Sequence, residues 1–278
     1  MDNVIDFREI ADAIKVLKEG KKGYITNFYI DMEKVDEWIK SETLQIQKYN
    51  HSLFLLKKNE GFTNLYFCTT SYEYLKQSLS ELKNEIRESL IVVDLIGRMS
   101  DMTLLGEVFR NNDFYDYIIL NRMSKNTTIV SPCKQNLYLK IASIEQVDDI
   151  LNLFHTYFDP ISEQLPSYSE IIDWIRRGTI SLYEHDGEIA GFVIYDLNGQ
   201  TSYLRYWFVH PEYRNKKIGS ALLNKFFGDS QAAKRQLFWV IQSNENAIKR
   251  YKHYGFETEN LYDFIMTNKN IQYEAESN

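Results

Sequence analysis

The chain has 278 residues, enough for one large domain or two ordinary ones, and two are expected. It is 44% hydrophobic and 26% charged with a net charge of −7, which suits a globular protein with a proper core. The same balance excludes a general nucleic-acid binder, which needs a basic face to neutralise phosphates.

No apolar run approaches the roughly 18 residues that span a membrane. The acidic, amphipathic start MDNVIDFREI lacks a signal-peptide core, so the cytoplasm is the default expectation and no membrane partner is expected. Cys68 and Cys133 have no metal-type spacing, and the five histidines are scattered without a His-Glu-x-x-His pattern. Neither a metal site nor a disulfide scaffold is expected.

In chain order, SLFLLKKNEGFTNLYFCTT reads as a hairpin, SYEYLKQSLSELKNEI as a helix and SLIVVDLIG as a strand. TLLGEVFRNND then reads as a helix and FYDYIILNRM as a strand. The polar stretch NRMSKNTTIVSPCKQN reads as a loop, which places the domain boundary at 134/135 and gives domains 1–134 and 135–278.

After the boundary, LYLKIAS reads as a strand, while EQVDDILNLFHTYF and SEIIDWIRR read as helices. Asp186-Gly187 and Asn198-Gly199 are strong hairpin signals, so Thr179 to Val209 is expected to be a three-stranded antiparallel meander. Ile218, Leu222, Leu223 and Phe226 line one face of the next helix. LFWVIQ reads as a buried strand, and Ala247, Ile248 and Tyr251 mark a helix stopped by Gly255. FETENLYDFIMTNK closes the domain as a strand. The order β-α-α-β-β-β-α-β-α-β predicts an α+β layered domain, a mixed and mostly antiparallel sheet flanked by helices on both faces. The N-terminal half repeats part of this order. At an offset of 256 − 114 = 142, Phe256 falls on Phe114 and Tyr251 on Phe109, which reads as a degenerate internal duplication.

VHPEYRNKKIGSALL concentrates Arg214, Lys216 and Lys217 between a strand end and a helix start in an acidic chain. The first amides of a helix lack internal partners and sit at the positive end of its dipole. With the three cations, and with Gly219 permitting close approach to the backbone, the loop suits an anion such as a diphosphate. A solvated polar turn is the plain alternative. Further on, NENAIKRYKHYGF places Asn244 ahead of a helix and Tyr251 within it. An N-cap and a half-buried packing tyrosine are the plain readings there.

Together the two blocks resemble the GNAT N-acetyltransferase superfamily. Arg214, Lys217 and Gly219 fall on its Arg/Gln-x-x-Gly-x-Gly/Ala loop after a V-x-P strand end. Asn244, Ala247, Tyr251, Gly255 and Phe256 fall on its second motif. The resemblance covers about Leu137 to Thr267, and it departs from the family at Lys217, which stands where a glycine is usual. It implies acetyl-CoA as cosubstrate, held by Phe208, Val209, Arg214, Asn215, Lys216, Lys217, Ile218, Gly219, Ser220, Asn244 and Ala247. It further implies an amine that attacks the thioester directly, backbone N–H groups near Phe208 and Val209 that polarise the carbonyl, and Tyr251 facing the departing thiolate. A free tyrosine has a pKa near 10 against roughly 8.5 for a thiol, so full transfer would be uphill by about 2 kcal/mol. Tyr251 therefore suits hydrogen-bond donation better than complete proton transfer. Glu184, Tyr206 and His210 are candidate bases, with relay through water as a further route.

The expected function is acetyl-CoA-dependent N-acetylation of a primary amine on a small molecule or peptide. A non-catalytic acyl-CoA-binding regulatory module is the alternative from a different class. A transferase with another acyl donor, such as aminoacyl-tRNA, is a third, against which the lack of a basic face counts. The N-terminal half has no Arg/Gly loop after LYFCTT and carries Phe109 in place of the tyrosine. It is expected either to cover the catalytic sheet and shape the acceptor site or to be a simple accessory domain.

Overall fold

Residues 1–19, 23–29, 32–127 and 137–273 are described in the computed structural model of the chain. They divide into two units: Met1–Asn121 with Ile241–Ser243 and Asn260–Asn278, and Arg122–Val240 with Asn244–Glu259. The boundary expected at 134/135 lies outside the described residues, as does Cys133.

The first unit is built from β1 (Asp2–Asn3), α1 (Phe7–Lys18), β2 (Ile25–Thr26), α2 (Met32–Lys40), β3 (Leu44–Lys48), β4 (Ser52–Lys58), β5 (Thr63–Thr69), α3 (Tyr72–Ile86), β6 (Ile91–Gly97), α4 (Met99–Arg110) and the start of β7 (Tyr115–Asn126). Helices cover both faces of its sheet, which is why its strands read as unbroken apolar runs. Along β4, Phe54 and Leu56 pack with α3 and α4, while Leu53 and Leu55 pack with α1 and α2. On β5, Leu65 and Phe67 face the first layer, and Tyr66 and Cys68 the second.

The second unit takes the end of β7 and then β8 (Leu139–Ile141), α5 (Val147–Tyr157), α6 (Tyr168–Arg177), β9 (Ile180–His185), β10 (Glu188–Asn198), β11 (Thr201–Val209), α7 (Ile218–Asp229), β12 (Arg235–Ile241) and α8 (Glu245–His253). The last strand, β13 (Glu257–Thr267), begins in this unit and continues in the first. This is the element order expected from the sequence, a mixed sheet flanked by helices. Asp186 and Gly187 both take positive φ (53° and 85°), as a two-residue primed turn requires. The second hairpin turns on Gly199 and Gln200, one residue later than Asn198-Gly199, with Gly199 at φ 57° and Asn198 paired to Thr201. One face of the sheet packs on α5 and α6 through Phe154, Trp174 and Phe192, the other on α7 through Val193, Leu222 and Phe226.

The polar stretch after Leu120 is not loop throughout, because β7 runs to Asn126. Its polar side chains are matched within the second unit. Arg122 and Ser124 both bond Glu259, and the Lys125 ammonium donates to the Tyr254 carbonyl at 3.1 Å while lying over the Phe227 ring.

The duplication signal has structural counterparts within each unit. Phe114 donates its amide to the Phe109 carbonyl at 3.1 Å, and Phe256 donates to the Tyr251 carbonyl at 3.1 Å. Asp113 (φ 60°) takes the left-handed conformation one residue before Phe114, as Gly255 (φ 85°) does before Phe256. The series β3-β4-β5-α3-β6-α4-β7 matches β9-β10-β11-α7-β12-α8-β13.

Candidate functional site

The site of the second unit starts from two irregularities on β11. Ile194 pairs with Tyr206 and Tyr195 with Leu204, so Arg205 is an extra, unpaired residue, a β-bulge. Leu204 faces the α7 layer, but beyond the bulge Tyr206 and Phe208 face α5 and α6, while Trp207 and Val209 face α7. β11 also pairs with β12 in parallel only from Thr201↔Arg235 to Tyr203↔Leu237, although the strands continue to Val209 and Ile241. Past the bulge the two strands are no longer laddered. The His210 amide donates to Ala190 at 3.0 Å on β10, so by alternation the amides of Trp207 and Val209 face the open side.

After β11 a short 3-10 turn, Pro211–Tyr213, leads into the cationic stretch. The Lys216 ammonium lies 4.6 Å from the Tyr213 ring centre. Asn215 and Lys217 both have positive φ, 65° and 61°. Lys217 is the N-cap of α7 and gives no side-chain cap, and the first turn of the helix has no acidic residue. Asp6, Ser71, Ser167 and Asn244 do cap α1, α3, α6 and α8 with their side chains. The amides of Ile218, Gly219 and Ser220 are thus open to an anion.

Lys217 therefore meets the conformation that a glycine would take without cost. Lys217→Gly is expected to stabilise the fold by about 1 kcal/mol, the usual penalty of a side chain in the left-handed region. A thermal melt reads this as a raised Tm. An unchanged or lowered Tm would mean that Lys217 contacts compensate the strain.

Gly219 has a packing role. A Cβ there would lie 2.8 Å from Trp207 Cζ2 and 3.4 Å from Val209 Cγ2, so the missing side chain lets α7 sit close on the open half of β11. The Trp207 Nε1–H is buried and has no hydrogen-bond partner among the described residues.

Tyr251 stands over the same opening. Its ring centre is 5.8 Å from that of Trp207 on β11 and 4.2 Å from that of Phe238 on β12. Burial pushes its phenol well above the ordinary tyrosine value, with the Arg250 charge opposing. α8 is aimed by Asn244, whose Oδ1 accepts the Ala247 amide at 3.0 Å. At its far end, Tyr254 and Ser220 hydroxyls meet at 3.4 Å, linking α8 to the start of α7. Thus Phe208, Val209, Ile218, Gly219, Ser220 and Tyr251 gather at one strand opening. Asn244 and Ala247 form the cap that holds Tyr251's helix.

The three candidate bases are all engaged. Hydrogen bonding to Lys140 and Gln146 holds the Glu184 carboxyl below its usual range despite partial burial. Tyr206 donates to the Gln164 carbonyl at 2.7 Å and the Glu163 carbonyl at 3.2 Å, and burial pushes its phenol far up. His210 Nε2 meets the Tyr157 hydroxyl at 2.8 Å, and its Nδ1 accepts the Glu212 amide at 3.4 Å. His210 and Tyr157 border a cavity of about 470 Å³ whose lining includes Asp149, Glu184 and Glu188 and no lysine or arginine.

The first unit has the corresponding strand opening, and its own chain fills it. β5 and β6 pair in parallel only at Thr63↔Ile91 and Asn64↔Val92. Beyond that point β2 lies on β5 through Ile25↔Thr69 and Thr26↔Cys68. Asn27 follows, its amide donating to the carbonyls of Leu65 (3.0 Å) on β5 and Asp94 (3.1 Å) on β6, while its oxygen accepts the Phe67 amide at 2.7 Å. The link from β5 to α3 is two residues long, and Ser71 caps the helix by accepting the Tyr74 amide.

Among the described residues, no three His, Cys, Asp or Glu side chains converge as metal ligands, and no helix is long and apolar enough to cross a membrane.

The second unit is thus a helix-covered mixed sheet that opens between two parallel strands, with an uncapped helix start at the opening. Residues 145–256 match the model of the Acetyltransferase (GNAT) family. An uncharacterized N-acetyltransferase of Methanocaldococcus jannaschii is 34% identical over 83 residues, a match that takes in 27% of this chain and 37% of that protein's length. A GCN5-related N-acetyltransferase from Sphaerobacter thermophilus shares the fold with a TM-score of 0.57 at 12% identity, covering 93% of this chain and 90% of that one. A tandem GNAT protein from the clavulanic acid biosynthesis pathway does so with a TM-score of 0.56 at 11% identity, covering 94% and 93%. The two-domain GNAT-like arrangement of this chain agrees with that likeness.

Proposed function

We propose that the chain is an acetyl-CoA-dependent N-acetyltransferase acting on a primary amine of a small molecule or peptide. The observation that carries this reading is the meeting, at one strand opening, of the uncapped start of α7, the outward amides of Trp207 and Val209, and Tyr251. These groups fit acetyl-CoA. The stretch from Arg214 to Ser220 would hold its diphosphate, and the free strand edge would run beside its pantetheine arm. The cosubstrate brings an acetyl group already activated as a thioester. The outward amides of Trp207 and Val209 would donate to the carbonyl oxygen, and Tyr251, a hydroxyl kept protonated by burial, would meet the sulfur. The acidic lining of the cavity beside His210 supports an acceptor that is cationic before reaction.

Calorimetry with acetyl-CoA, followed by a thiol-release assay over a panel of amines, tests the proposal. Binding with turnover is expected, binding without turnover on any amine favours the regulatory module, and no binding removes the loop from the argument. The filled opening of the first unit, with its capped α3, supports a single acetyl-CoA site. The expected stoichiometry is one acetyl-CoA per chain, and a value of two would overturn the view that β2 and Asn27 close the second opening.

A further inference from the structure

A buried indole nitrogen ordinarily finds an acceptor, because the group donates, does not accept and holds its hydrogen in one direction. Trp174 follows this rule in the second unit, donating from Nε1 to Asp196 Oδ1 at 2.9 Å. Trp207 departs from it. Its ring is half-buried, its Nε1 is covered, and no acceptor meets it among the described residues. The other buried side-chain atoms in this condition are the hydroxyls of Thr70, Thr127 and Ser181 and the oxygens of Asn121, Gln236 and Asp263. A hydroxyl can re-aim its hydrogen and the oxygens are acceptors, so Trp207 supplies the one fixed donor in that set.

The position of the ring gives this hydrogen its meaning. Beyond the bulge at Arg205, Trp207 faces α7, in the stretch where β11 and β12 are no longer laddered. The Tyr251 ring meets the indole at 61°, with the centres 5.8 Å apart. A Cβ placed on Gly219 would lie 2.8 Å from Cζ2 and 3.4 Å from Cε2 of Trp207. Cε2 is the ring carbon bonded to Nε1, so the nitrogen-bearing edge of the indole abuts the first turn of α7. That turn carries the open amides of Ile218, Gly219 and Ser220, with no side-chain cap and no acidic residue. Gly219 meets the indole with backbone alone.

We propose that Trp207 is a binding residue for acetyl-CoA, its Nε1–H donating to a diphosphate oxygen seated at the start of α7. The proposal rests on the cosubstrate reading above and adds a side-chain donor to the backbone ones. A hydrogen bond from N–H to a charged phosphate oxygen is shorter and stronger than one between neutral groups. An indole already fixed by packing between β11 and α7 loses little freedom on binding, whereas a long cationic side chain must be ordered. Without the anion, a covered and unpaired donor costs the fold stability. Local cost borne for a ligand is the usual trade between stability and function at a binding site.

Replacing Trp207 in the full chain by 3-benzothienylalanine tests this, since sulfur takes the place of the N–H and the shape of the ring is kept. Calorimetry is expected to show acetyl-CoA binding about tenfold weaker or more, the range for a bond to a charged group. The same protein, freed of an unpaired donor, should melt at or above the wild-type Tm. Equal affinity overturns the proposal. A fall in Tm together with affinity also overturns it, because the N–H would then serve the fold and not the ligand.

NMR supplies a readout independent of turnover. The chain has four tryptophans, and Trp207→Phe identifies the Trp207 indole resonance by its loss. Saturating acetyl-CoA should move that resonance downfield and leave the one from Trp174, already bonded to Asp196, in place. A Trp207 resonance that stays put at saturation overturns the proposal. Phosphorus-31 spectra of the bound cosubstrate locate the acceptor: the diphosphate resonances should differ between wild type and the benzothienyl protein, and identical ones would overturn the assignment to the diphosphate. A wild type that binds no acetyl-CoA overturns the cosubstrate reading and Trp207 with it. Failure of Trp207 alone leaves wild-type binding intact.

Discussion

Tyr251→Phe is expected to lower kcat by about 10²-fold or more, with acetyl-CoA affinity and melting temperature close to wild type. The phenol is surrounded by the rings of Trp207, Phe238 and Phe256, and burial pushes its value far above that of a free tyrosine. Full proton transfer to a thiolate, already uphill for a free tyrosine, becomes steeper in this setting. On the proposed reading the hydroxyl keeps its hydrogen and would act by donation, stabilising charge as it gathers on the leaving sulfur. Phenylalanine preserves the ring contacts and deletes only the donor. The first unit indicates that the swap is tolerated structurally, since Phe109 occupies the matching position, fully buried, with the same backbone bond to the residue five along. Steady-state kinetics should show kcat and kcat/KM falling together, the mark of an interaction made in the transition state. Unaltered turnover would remove Tyr251 from the chemistry.

Gly191→Ala is expected to cost about 2–4 kcal/mol of stability and to weaken acetyl-CoA binding. Its added Cβ would lie 2.6 Å from the Phe208 carbonyl oxygen, 3.3 Å from Val209 Cα and 3.1 Å from Leu222 Cδ1. Two of those atoms are backbone, so relief requires moving β11 at Phe208 and Val209, where the strand edge opens. Gly228→Ala is the control, because nothing lies within 4 Å of the new methyl and the site is helical. Alanine there should be neutral or stabilising by up to about 1 kcal/mol. Denaturant melts of the two variants, with calorimetry, separate a local clash from a general intolerance of alanine. A Gly191→Ala protein as stable as wild type would show that β11 shifts freely.

Most of the fold from Leu139 onward was legible because local chemistry and pattern agree there. Asp186-Gly187 can satisfy a primed turn, and Ile218, Leu222 and Phe226 mark a buried helix face. Failures occur where long-range contacts decide. Arg122, Ser124 and Lys125 look like loop residues until Glu259 and Tyr254, more than 120 positions away, receive them in a strand. The segment before Ser52 gave no reading, and β1 and β2, two residues each, are too short to show a period. Gly219 was read for ligand approach, but its neighbour is Trp207. Lys217 could not be settled from sequence, since nothing in a lysine announces a left-handed backbone. Glu184, an eligible base by sequence, is committed to Lys140 and Gln146 in the structure.

The extra residue at Arg205 has a consequence that reaches both faces of the sheet. Along a regular strand, odd and even positions stay on their own sides, so a change of parity must be introduced somewhere if one strand is to serve two different tasks. Arg205 makes that change once. Below it, Leu204 belongs to the face of α7. Above it, even-numbered Tyr206 steadies the turn that carries Glu163, and odd-numbered Trp207 lies beneath Tyr251. Removing one residue at this point would exchange the two assignments, turning Tyr206 toward α7 and Trp207 toward α5 and α6. A single amino acid of chain length thus sets which aromatic side chain meets the turn between α5 and α6 and which one meets Tyr251.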